Sequence, residues 1–62
     1  MQTGIKLKIV GTDGNAYALL SEAEAALRKA GKKELFDELW KEATSGDYDH
    51  LLRTLTEWFE VE

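Results

Sequence analysis

The sequence predicts a small α+β domain of order β-α-α-α-β, with three helices packed on a two-stranded sheet formed by the N- and C-terminal strands. Three observations carry this. "IKLKIV" near the start alternates apolar and charged residues. Three later stretches keep apolar residues at helical spacing and are separated by glycine-containing breaks. The last residues, "TLTEWFEVE", return to types that favour strands.

In the first element, Ile5, Leu7 and Ile9 alternate with Lys6, Lys8 and Val10, giving one apolar face. Lysines on the opposite face suit an exposed strand, because like charges discourage edge-to-edge association. "GTDGNAY", residues 11–17, comes next and admits two readings. Asp13-Gly14 between apolar runs is a hairpin signal, which would make "NAYALL" a strand and start a helix at Ser21, with Glu24 completing a capping box. Periodicity favours the other reading. At 100° per residue, Ala16, Leu19, Leu20, Ala23, Ala26, Leu27 and Ala30 fall within an arc of about 120°. A strand over 16–20 would have no reason to share phase with the helix after it. The expectation is one helix over about 15–30, capped by Asp13 or Asn15 and ended by Gly31 in the left-handed conformation.

A second helix is expected from about Lys33 to Thr44, with Leu35, Phe36, Leu39, Trp40 and Ala43 on one stripe. Ser45-Gly46 breaks it. Asp47 is a good N-cap for a third helix, with Asp49 in its first turn facing the positive end of the dipole. Leu51, Leu52, Leu55, Trp58 and Phe59 keep helical phase, but the first strand needs a partner and only the last residues can supply one within the chain. The third helix is therefore expected to end near Leu55 or Thr56, with Trp58–Val61 as a strand whose direction relative to the first stays open. Both tryptophans lie on apolar stripes and are expected in the core.

Composition narrows the functional classes. Sixty-two residues are read as one domain, with no Cys for disulfides or thiolate metal sites. No apolar run approaches the length of a membrane span, and no signal peptide is visible, so a soluble, cytoplasmic chain is expected. The net charge of -4 would repel a phosphate backbone, which argues against a nucleic-acid partner.

Two polar stretches could carry chemistry. Asp13, Asn15 and Glu24 sit at positions one, three and twelve of a calcium-loop pattern, but Tyr17 occupies position five and Ala18 the position that needs Gly. A phosphate-cradling glycine loop would place Asp13 against its anion. The plain reading of a turn and a helix cap accounts for every residue. In "SGDYDHLL", Asp47, Asp49 and His50 lie too close together on a helix start to converge on one ion. His50 is read as a solvated helix residue, with no Ser or Thr placed beside it as a nucleophile. Tyr48 is read as a boundary residue. No catalytic residue, metal or cofactor is expected.

The two segments "GTDGNAYALL" and "ATSGDYDHLL", followed by Trp58 and Val61, resemble a group of short phage- and prophage-type proteins that also occur in related bacterial genomes and carry no known activity. The match covers about half the chain, through Gly11, Thr12, Asp13, Gly14, Asn15, Ala16, Tyr17 and Ala18, then Ser45, Gly46, Asp47, Tyr48, Asp49, Leu51 and Leu52. The middle, "SEAEAALRKAGKKELFDELWKEA", departs toward regular helix composition, which an engineered or consensus-like variant would also show. The chain is accordingly expected to be a small acidic accessory module that binds another protein through Asp13, Asn15, Asp47, Tyr48, Asp49 and His50. The alternative is a scaffold with no function beyond folding. A monomer is expected, with the exposed strand edge as the place where a dimer would form.

Overall fold

The computed structural model describes residues 2–8 and 15–62. Element order is β1 (Ile5–Leu7), α1 (Ala16–Lys29), a single 3₁₀ turn (Lys33–Leu35), α2 (Phe36–Ala43), α3 (Tyr48–Trp58) and β2 (Phe59–Val61). This is the β-α-α-α-β order that the patterning predicts. The expectations that fall on Ile9, Val10 and residues 11–14, including the turn at Gly14 and the cap from Asp13, lie outside the described residues.

The strands pair in parallel, with Ile5 opposite Phe59, Lys6 opposite Glu60 and Leu7 opposite Val61. A parallel pair requires a long crossover, and the helical region between the strands supplies it. The pairing extends beyond the strands, because Thr3 N donates to Trp58 O at 2.9 Å and Glu62 N donates to Leu7 O at 2.9 Å. Lys6 Nζ approaches Glu62 Oε1 at 3.8 Å across the exposed face.

The reading of one helix over about 15–30 holds, as Ala16–Lys29. The Asn15 side chain accepts from Ala18 N at 3.1 Å, meeting one of the first-turn N–H groups that a helix leaves unpaired. At the other end Gly31 takes φ 74°. Lys32 N reaches Leu27 O at 2.8 Å and Gly31 N reaches Arg28 O at 3.1 Å. This double closure needs a residue that tolerates positive φ, and Gly does so without a Cβ clash. Ser21 lies inside α1, so the hairpin alternative and its capping box do not form.

The core gathers Leu7 from β1, Leu19, Leu20, Ala23 and Leu27 from α1, Leu39 and Ala43 from α2, Leu51, Leu55 and Trp58 from α3, and Phe59 from β2. Two expectations are corrected. The third helix does not end near Leu55 or Thr56; it runs to Trp58, and the strand begins at Phe59. Strand propensity is a weak preference that packing overrides. Trp58 continues the buried stripe of Leu51 and Leu55, is 0 % exposed, and its indole N–H donates to Glu42 Oε2 at 3.2 Å. Trp40, expected in the core, is 39 % exposed. It lies at the margin of the α2 stripe, where Leu39 and Ala43 take the covered positions.

Candidate aromatic groove

Three helices meet at a groove of about 370 Å³. Ala16, Tyr17 and Leu20 of α1 form one wall, Trp40, Ala43 and Thr44 at the end of α2 the second, and Asp47, Tyr48 and Leu51 the third. Three aromatic side chains stand open to solvent around it: Tyr17 at 73 %, Trp40 at 39 % and Tyr48 at 37 %. The Tyr17 and Trp40 ring centroids are 6.4 Å apart at an interplanar angle of 34°, and half-buried Phe36 backs Trp40 at 6.0 Å. These separations are ordinary for aromatic pairs, so the rings support one another while their outer faces stay free.

Local sequence explains how each wall is held. Tyr17 falls on the polar side of the α1 stripe, so burial of Leu19 and Leu20 turns it outward. Asp47 sets the α3 start, its carboxylate accepting from His50 N at 2.9 Å. Gly46, just before it, is required for space. A Cβ there would lie 2.8 Å from His50 Cγ and 2.9 Å from His50 Cβ.

His50 is half-buried, where a solvated residue was expected. Its Nε2 lies 2.9 Å from Glu42 O and 3.1 Å from Ser45 Oγ, while Ser45 Oγ donates to the same carbonyl at 2.8 Å. The sequence does not reveal this Ser–His pair, since only the 45–47 turn brings the two together. A carbonyl oxygen can only accept, so we assign the Nε2 proton to the bond with Glu42 O. With that proton in place, Nε2 has no lone pair to take a proton from Ser45. The cluster instead adds to the bond that the Glu42 carbonyl already accepts from Ser45 N at 3.3 Å, and fastens the end of α2 to α3.

The structure therefore divides the residues singled out in the sequence. Asp47 and Tyr48 line the groove, and Asn15 begins the helix that forms its first wall. Asp49 is exposed on the first turn of α3, His50 serves the helix junction, and Asp13 lies outside the described residues. Tyr17 and Trp40 were missed as surface features. Tyr17 sits off the apolar stripe in the sequence, which is a readable sign of exposure, but its pairing with a ring of another helix is a tertiary fact.

Helix α1 runs through the would-be calcium loop, and Asn15 Oδ1 is engaged as a cap. Among the described residues no three His, Cys, Asp or Glu side chains are grouped to hold a metal ion. No described helix is long and apolar enough to cross a membrane. No family model, curated protein or solved structure matches the chain.

Proposed function

We propose that this protein is a small accessory module that binds another protein through the groove between Tyr17, Trp40 and Tyr48. The observation that carries the reading is the convergence of three exposed aromatic rings from three helices on one concavity with an apolar floor. Tyrosine and tryptophan are enriched at binding surfaces because they offer large contact area at small entropic cost, with a polar tip that tolerates water. Asp47 on the rim and Asp49 on the adjoining turn favour a partner segment that carries Arg or Lys beside an apolar side chain. A guanidinium can lie over the Tyr17 or Trp40 face while its charge is met by the carboxylates. The likeness of the "SGDYDHLL" segment to phage-type proteins fits a module that works through a partner and catalyses nothing itself.

A peptide-display selection on the intact protein tests this. The expected result is enrichment of basic, apolar segments whose binding is lost in Tyr17→Ala and Trp40→Ala. If enriched ligands bind these variants unchanged, the groove is not the contact. If no ligand enriches at all, the alternative holds: a scaffold with no function beyond folding, to which the regular middle of the chain also conforms.

A further inference from the structure

On another face of the molecule, the strand β1 has a side that no described strand covers. Among the described residues the sheet contains two strands, in the order β1-β2. Successive residues of a strand direct their main-chain N–H and C=O groups to opposite sides. Leu7 O accepts from Glu62 N and so faces the β2 side; the main-chain groups of Lys6 and Lys8 consequently face the open edge. Along that edge runs a groove of about 670 Å³ between β1 and the C-terminal half of α1. Ile5, Leu7, Ala25, Ala26 and Ala30 form its apolar lining, and no β2 residue contributes to it.

The charge around this groove departs from that of the chain. Lys6, Lys8, Arg28 and Lys29 line it, four of the eight basic residues, with Glu22 the one acidic residue among the described lining; Arg28 also approaches Glu24 Oε1 at 4.0 Å and Lys6 approaches Glu62 Oε1 at 3.8 Å. A chain of net charge -4 thus presents a local cationic rim. The segment that pairs with β1 shows what such a strand accepts. "FEVE" pairs with β1 on the other side and brings Glu62 to Lys6 across the exposed face.

We propose that the open edge of β1 receives an acidic, extended segment of a partner protein as a third strand. Its main chain pairs with Lys6 and Lys8. Its apolar side chains rest on Ala25, Ala26 and Ala30, and its carboxylates meet the cationic rim. This is strand addition, in which main-chain bonds give affinity and alternate side chains give specificity. A second copy of β1 does not fit the edge, because its lysines would face the same lysines. The site is separate from the aromatic groove and takes the opposite charge.

The test uses a fluorescein-labelled, end-blocked peptide of about six residues alternating glutamate with valine or phenylalanine, titrated with the whole protein. Saturable binding is expected, with amide shifts at residues 5–8 and 25–30. Lys6→Glu with Lys8→Glu should weaken it about tenfold, and more salt should weaken it further. Ala25→Tyr, which fills the groove and leaves the lysines intact, should also abolish binding, so the result does not hang on one variant's folding. Trp40→Ala should leave it unchanged, which separates this site from the aromatic groove. Replacing the edge-facing peptide N–H groups by N-methyl should remove binding while keeping every charge. Undiminished binding of the N-methylated peptide would reduce the effect to charge attraction and overturn the proposal. So would self-association of the protein without peptide, lost on lysine reversal, since a second copy would then occupy the edge.

Discussion

The two tryptophans lie on the apolar stripes of adjacent helices, yet they live in opposite environments. Trp58 closes α3 at 0 % exposure, with its ring among the core residues, its N–H on Glu42 and its carbonyl on Thr3. Trp40 stands 39 % exposed beside Tyr17. Position on a stripe sets which way a side chain points; whether another element covers it is decided by the rest of the chain. Around Trp58 one helix end joins two helices and the sheet. Around Trp40 the helices diverge and leave a groove.

The largest expected effect comes from removing the Trp58 seam. Deleting residues 58–62 takes out Trp58, Phe59 and the strand paired with β1. The total margin of so small a domain is about 3–5 kcal/mol, so the truncated chain should be unfolded, with poor amide protection throughout. A cooperative melt with protected amides at residues 5–7 would mean that β1 is held by something other than β2. The single change Trp58→Ala should cost about 3–5 kcal/mol in denaturant titration, whereas Trp40→Ala should cost less than about 1.5 kcal/mol. Equal losses would erase the contrast between the two sites.

A sharper probe sits at the turn between them. Gly46→Ala places a methyl group against the His50 ring and Cβ, and should lose about 1–3 kcal/mol through displacement of the α3 start. Gly46 is not among the positive-φ glycines, so the loss measures crowding and not backbone strain. A neutral Gly46→Ala would show that the His50 junction yields freely. Smaller again are the caps. Asn15→Ala and Asp47→Ala each remove one observed side-chain acceptor and should cost about 0.5–2 kcal/mol by thermal or chemical melt. No change at either would mean that water replaces the cap at no cost.

Much of this architecture was legible in the sequence because local signals agreed with one another. The α1 stripe, the Gly31 stop and the Asp47 start each have a local physical cause, and the structure realises each of them. The last helix end was not legible, since Thr, Trp, Phe and Val favour strands in general while Trp58 is held helical by burial. Strand direction was not legible either, because it depends on how the helices cross. Of the site, Asp47 and Tyr48 could be picked out as polar residues of a turn. The groove itself needed Tyr17 and Trp40, 23 residues apart in sequence, to meet across two helices. The Ser45–His50–Glu42 cluster was hidden for the same reason.

The molecule folds through the Trp58 seam and leaves the aromatic groove as surface. A urea titration of Tyr17→Ser with Trp40→Gln, monitored by far-ultraviolet circular dichroism, tests it most directly. Tyr17 is 73 % exposed and Trp40 is 39 % exposed, so the double variant should keep its slope and lose no more than about 1.5 kcal/mol. A loss comparable to that of Trp58→Ala, about 3–5 kcal/mol, would instead place the groove aromatics in the folding core.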